Sequence, residues 1–362
     1  MSDKPTIGLT LGDPAGIGPE IVVKALSDRA SYEACRPVVY GDRCILERSL
    51  SDLNALLELN AIGQPSEGRF QIGTIDYIDP GLLSKPTPYG EISADGGRAG
   101  LGYLDQAINA ALSEAVDGLA TAPLNKESLQ AAEAPFIDHT AALKAKAAVR
   151  KPMTLFLVRS LRIFFLTRHI SFREIADAIT EGRILEAAPL CQLYLRQLGI
   201  ENPYLAIAAL NPHGGEQGLF GTDEMDVITP AVQKAKESGL NVTGPVPADS
   251  VFHQTSEGKY DGVLSLYHDQ GHIAAKTLDF HGTVSLTMGL KFLRTSVDHG
   301  TAFDIAGQGI ADPRGMVEAI KAAGAYSLSV KSTLDFSPPT PQNSKLTTPH
   351  SSLAVPPNSV LE

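Results

Sequence analysis

The strongest constraint on the fold is a recurring local order: a short apolar, β-branched run, a turn rich in Gly, Pro or His, and then a stretch of helical periodicity. Residues 6–10 run into Gly12-Asp13-Pro14-Ala15-Gly16-Ile17-Gly18-Pro19-Glu20, and apolar periodicity over Ile21-Val22-Val23-Lys24-Ala25-Leu26 follows. Residues 37–40 end at Gly41-Asp42 before a predicted helix over 43–57. The stretch 62–95 is less regular, with strands predicted at 70–72 and 75–77. Gly97-Arg98-Ala99-Gly100 then leads a long helix to about 115, and 118–123 repeats the strand-to-loop pattern. Parallel strands need a crossover of about a dozen residues, usually a helix, so this order predicts an α/β protein with a largely parallel sheet.

The second half continues in kind. Runs at 154–158 and 161–166, separated by Arg159-Ser160, read as a hairpin. Ser171 is placed to cap a helix to about 182, and another helix runs to about 198. A buried strand at 204–210 ends in Asn211-Pro212-His213-Gly214-Gly215-Glu216, a helix covers 229–236, and a strand at 260–267 leads into His268-Asp269-Gln270-Gly271-His272. For 362 residues the expectation is one catalytic unit of one or two α/β lobes over residues 1–330. Beyond that, Pro, Ser and Thr replace apolar periodicity, and 331–362 reads as a disordered tail.

Charge and cysteine content narrow the partners. Lys and Arg number 30 against 41 Asp and Glu, a net charge of −11, and no segment carries a basic stripe, which argues against nucleic acid. A small anionic substrate would therefore need a local cluster of cations. Cys35, Cys44 and Cys191 are an odd, scattered set that makes no disulfide framework. No apolar run approaches the roughly 18 residues of a membrane span, and no export signal is visible, so the expected location is cytoplasmic.

The chemistry-bearing residues cluster at predicted strand ends. His169, His213 and His268 each follow an apolar strand. Taken singly, each is an ordinary strand-end histidine held by a hydrogen bond; taken together, three neutral imidazoles make a divalent-metal site, and the residues alone leave both readings open. His268 and His272 match the HxxxH spacing of zinc proteases, but Asp269 stands where glutamate belongs and Gly271 is expected to interrupt the helix. Lys276, Arg294 and the pair His139-Thr140 suit phosphate or carboxylate, although a lone lysine or arginine is usually just a solvated charge. Asp249 and Asp269 are candidate acid–base groups or histidine-orienting partners. The loop Thr121-Ala122-Pro123-Leu124-Asn125-Lys126 is a candidate binding loop. After Gly16 and Gly18 the dinucleotide fingerprint GxGxxG fails at Ile21.

Five motifs in register, Gly12 to Glu20, Thr121 to Lys126, Asn211 to Glu216, Tyr267 to Gly271, and Arg294-Thr295-Ser296-Val297-Asp298-His299-Gly300-Thr301-Ala302, resemble the 4-hydroxythreonine-4-phosphate dehydrogenase (PdxA) family. The resemblance spans about residues 6–328. It implies a two-lobed α/β/α fold similar to isocitrate and isopropylmalate dehydrogenases, which bind NAD without the Rossmann fingerprint. It also implies a homodimer whose site draws metal ligands from both subunits, NAD or NADP as oxidant, and a divalent metal: Zn2+, Mg2+, Mn2+ or Co2+. His169, His213 and His268 match the metal ligands. His139, Thr140, Lys276 and Arg294 match contacts to a phosphorylated substrate, and Lys276, Asp249 and Asp269 are the implied catalytic groups.

The implied reaction is oxidative decarboxylation of 4-phosphooxy-L-threonine to 3-amino-2-oxopropyl phosphate, in pyridoxal phosphate biosynthesis. The alternative is 4-phospho-D-threonate or 4-phospho-D-erythronate, giving dihydroxyacetone phosphate. Several positions depart from the family pattern. Gly-His-Thr-Glu appears as Asp138-His139-Thr140-Ala141, the threonine expected before the first metal histidine is Arg168, and the substrate-binding asparagine expected in the loop after the lysine is Ser285. Gly271-His272-Ile273 looks like the sugar-acid branch.

Overall fold

The computed structural model describes residues 4–147 and 152–333. Twelve strands form one sheet: β1 (Thr6–Thr10), β2 (Arg36–Tyr40), β3 (Glu58–Ala61), β4 (Thr74–Ile78), β5 (Gly118–Thr121), β6 (Met153–Val158), β7 (Leu161–Phe165), β8 (Leu205–Ala208), β9 (Val242–Val246), β10 (Gly262–Ser265), β11 (Val284–Met288) and β12 (Leu293–Val297). Their order is β3-β4-β2-β1-β5-β12-β11-β6-β7-β10-β8-β9. One half of the sheet comes from the N-terminal strands plus β12, the other from residues 153–288, and the architecture matches the expected α/β class.

The pairing is mostly parallel, with an antiparallel centre: β12–β11, β11–β6 and β6–β7. Three reversals in succession mean that β7, β10 and β8 run opposite to β1, β5 and β12. The hairpin at Arg159-Ser160 forms as expected, with Arg159 at φ 53 in its turn.

The core is continuous across both halves. Ile7, Leu9, Val38, Leu119, Phe164, Leu264 and Leu286 are fully buried on the strands, and helices cover them with Ile21, Val22, Tyr103, Leu104, Leu195 and Ile320. Burial on this scale, at roughly 25 cal/mol per Å2 of apolar surface, is what holds so wide a sheet together.

Several local expectations are corrected. Residues 70–72 are not a strand: Phe70 has φ 52, and the Arg69 and Phe70 backbone N–H groups donate to the Asp76 carboxylate, which bends the chain into a turn ahead of β4. The helix Arg43–Asp52 stops short of residue 57 because the chain takes a positive φ at Asn54. Ser171 does form a capping box with Glu174, but the helix it starts ends at Ala178. Thr180 then caps a separate helix, Glu181–Gln197. The last helix, Arg314–Ser332, passes the expected tail boundary at 331, and residues 334–362 of that tail lie outside the described residues.

Gly271 does not break its helix. His268–Leu278 is continuous, and Gly271 lies where a Cβ would come within 2.6 Å of Phe165 and 2.8 Å of Ile163. Glycine is there so that the helix can sit close on β7, at a cost in helix propensity of about 1 kcal/mol.

Candidate active site

The phosphate-directed residues are assembled around Arg294. Its side chain is 6% exposed, and its guanidinium donates to the Thr121 hydroxyl at 2.7 and 3.0 Å and to Thr287 at 3.3 Å. Burial lowers its pKa to about 10, partly offset by the Asp138 carboxylate, so it remains a cation near neutrality. A cavity of 390 Å3 beside it is lined by His139, Thr140, Ser285, Ser296, Asp298 and the loop from Thr121 to Lys126. His139 opens the helix His139–Lys146, and Asp138 caps that helix by accepting from Ala141 N.

The His139 ring is neutral. Burial, then the Arg294 charge, hold its pKa well below the ordinary 6.5, against a hydrogen bond with the Ala122 backbone. Its Nε2 is sealed from solvent and has no protein partner. A buried cation and an unpartnered imidazole nitrogen beside a cavity suit a phosphate, which brings both acceptors and a proton.

Lys276 does not line this cavity but reaches it through Asp298. The helix after β10 runs back along the sheet, and Lys276 Nζ lies 2.9 Å from Asp298 Oδ2 in the loop after β12. The pairing ties the two halves of the sheet at the site.

Of the three strand-end histidines, two come together. Strands β7, β10 and β8 are adjacent and parallel, so the segments carrying His169, His268 and His213 leave the sheet on one side. His169 and His268 have ring centroids 5.8 Å apart and line a second cavity of 270 Å3 with Arg168, Tyr267 and Asp269. Burial, then Arg168 and His268, lower the His169 pKa, which favours the neutral, ligating imidazole. Asp269 Oδ1 lies 2.6 Å from His268 Nδ1, which fixes the tautomer and leaves Nε2 for a ligand.

His213 stands apart. It takes φ 54 in a run of left-handed residues after β8, is 61% exposed, and lies 3.8 Å from Asp249 Oδ2. Among the described residues of one chain, no three His, Cys, Asp or Glu side chains form a metal-binding group. The donor chemistry still suits a divalent metal: three imidazoles, two of them with carboxylates at hand to orient them.

His272 does not face either cavity. It stacks on His268 with centroids 3.6 Å apart, packs against Phe156 and Phe165, and its Nδ1–H donates to the His268 carbonyl. The Gly12–Glu20 stretch is a packing junction: Asp13 N donates to Pro123 O, Ile17 N to Thr301 O, and Glu20 accepts from Ala311 N. Thr154 and Arg183, which line a cavity with Arg168, went unread in the sequence; a strand-start threonine and an arginine in the first turn of a helix carry no local signal.

Comparison with known proteins identifies the family. The family model "Pyridoxal phosphate biosynthetic protein PdxA" matches residues 33–323. A Halalkalibacterium halodurans protein named "Putative D-threonate 4-phosphate dehydrogenase" is 50% identical over 90% of this chain and 98% of its own length. One of the same name from Symbiobacterium thermophilum is 48% identical over 92% of this chain and all of its own length. The crystal structure of 4-hydroxythreonine-4-phosphate dehydrogenase from Klebsiella pneumoniae aligns with TM-score 0.84 and 39% identity, over 90% of this chain and 99% of that one. No helix among the described residues is long and apolar enough to cross a membrane. With a family match and full-length relatives in agreement, the chain belongs to the PdxA family and is a dehydrogenase, an oxidoreductase acting on a CH–OH group.

Proposed function

We propose that this dehydrogenase oxidises and decarboxylates D-threonate 4-phosphate or its erythronate epimer, yielding dihydroxyacetone phosphate and CO2. The observation that carries a phosphorylated substrate is the buried Arg294 beside the unpartnered Nε2 of His139. The sugar-acid choice is supported by relatives named for D-threonate 4-phosphate at 50% and 48% identity.

In this reading Arg294, His139 and Thr140 take the phosphate, while Ser285 and Lys276 contact the substrate next to it. His169, His213 and His268 hold a divalent metal, Zn2+, Mg2+, Mn2+ or Co2+, and a second copy of the chain completes each site. When bound, that metal supplies Lewis acidity to the substrate hydroxyl, and NAD or NADP accepts the hydride. Asp269 is already committed to orienting His268. Asp249, 65% exposed beside His213, is left as the general base that removes the C3 hydroxyl proton, directly or through a water. Oxidation at C3 places a ketone β to the carboxylate, which then leaves as CO2 with its electron pair passing to C2.

The second reading is 4-phosphooxy-L-threonine, favoured by the 39% identical Klebsiella pneumoniae enzyme, named 4-hydroxythreonine-4-phosphate dehydrogenase. Reduced nicotinamide formed by the purified protein from each substrate separates the two. A higher kcat/KM with D-threonate 4-phosphate supports the first reading; turnover of the amino substrate alone would replace it with the second.

A further inference from the structure

The cavity of the histidine pair holds a cation that the reading above does not use. Arg168 directly precedes His169 and lines the same cavity as His169, His268 and Tyr267. It also lines a neighbouring cavity of 380 Å3 with Thr154 and Arg183. Among the described residues its side chain has one hydrogen bond, from Nη1 to the Thr154 hydroxyl. Asp138 is the one carboxylate whose charge reaches it, and that oxygen pair already caps a helix through Ala141 N. A guanidinium has five N–H donors, so most of this fork is left for another partner.

Asp138 lines the phosphate cavity, and its charge raises the pKa of Arg294, Arg168 and His169 against the burial that lowers each. A four-carbon acid with phosphate at one end and carboxylate at the other carries its reacting carbon between them. With the phosphate on Arg294 and the reacting carbon near the histidines, the acid end falls to Arg168.

We propose that Arg168 is a specificity-determining residue: its guanidinium binds the carboxylate and the C2 oxygen of a phosphorylated hydroxy acid, and repels an ammonium group at C2. This rests on the sugar-acid reading above. The discrimination is electrostatic. A hydroxyl oxygen accepts from a guanidinium, whereas an ammonium offers no lone pair and carries the same charge in a partly desolvated site.

The test compares kcat/KM for D-threonate 4-phosphate and 4-phosphooxy-L-threonine in the full-length protein and in Arg168→Gln and Arg168→Lys, with saturating Mn2+ or Zn2+ and NAD+. The parent protein should prefer the hydroxy acid. Arg168→Gln, which removes the charge, should lower that preference about tenfold or more, mainly through KM. Arg168→Lys should keep the preference but raise KM, because it keeps the charge and loses the fork. An unchanged preference in Arg168→Gln overturns the inference while leaving the substrate reading intact. If that variant does not fold, an unchanged KM in Arg168→Lys overturns it equally. A parent protein that prefers the amino substrate defeats both.

Discussion

Lys276 Nζ stands 2.9 Å from Asp298 Oδ2, joining the helix after β10 to the loop after β12 across the antiparallel centre of the sheet. The pair is only partly buried, at 32% and 19% exposure, so it adds little to stability, about 1 kcal/mol or less. Its value is placement: it brings a cation from one half of the sheet to a cavity built mostly by the other. Lys276→Met should therefore leave the melting temperature nearly unchanged and reduce kcat/KM about 100-fold or more. Parallel thermal melts and turnover assays check this; a large loss of stability with normal turnover would assign Lys276 to structure instead.

Arg294 should show the opposite balance between stability and function. It is buried against the hydroxyls of Thr121 and Thr287, with no carboxylate in ion-pair contact among the described residues. Replacing a buried ion with an apolar side chain of similar length is often neutral or stabilising. Arg294→Met should be at least as stable as the parent in urea, yet lose about 100-fold in affinity for the phosphorylated substrate, since charge-assisted bonds to phosphate contribute about 1.5–3 kcal/mol each. Calorimetric titration of substrate without nicotinamide reads the affinity directly.

How much of this was legible in the sequence depends on the range of the interaction involved. Strand–turn–helix order placed β1, β2, β5, β8 and β10, and a strand-end position singled out His169, His213 and His268, because those signals are local. The reversal at β11 and β12 was not legible. Val284–Met288 and Leu293–Val297 are short runs whose direction is set only by pairing with β6 and β5, far away in the chain. Gly271 was misread for a related reason: glycine disfavours a helix taken alone, and only the approach to Phe165 explains its presence. Arg168 was visible only as a departure from a motif, and its place in the cavity of the histidine pair needed the fold.

Gly271→Ala tests that close approach. On an open helix the change would stabilise by about 1 kcal/mol. Here the new methyl meets Phe165 and Ile163 at 2.6 and 2.8 Å, so the expected result is destabilisation of about 1–3 kcal/mol. The shift would also move His268 and Lys276, which share the helix, and lower turnover. A rise in melting temperature would contradict the packing described.

His139 gives a pH signature. Its folded pKa lies well below 6.5 because burial and Arg294 disfavour the charged ring. As pH falls below the unfolded value of 6.5, the unfolded chain takes up the proton first. The stability contributed above pH 6.5 is therefore lost on acidification, at up to about 1.4 kcal/mol per pH unit for one proton. His139→Gln should flatten that part of the curve relative to the parent. Urea midpoints measured on both proteins below and above pH 6.5 give the comparison, and identical slopes would remove His139 as a source.

The central claim is a metal-dependent dehydrogenase whose metal sits on strand-end histidines, and metal content measured alongside turnover in His213→Ala tests it most directly. Parent protein stripped by a chelator should form no reduced nicotinamide from D-threonate 4-phosphate and recover when a divalent metal is restored. His213→Ala should neither retain metal nor recover. Full turnover by metal-free His213→Ala protein would contradict the account.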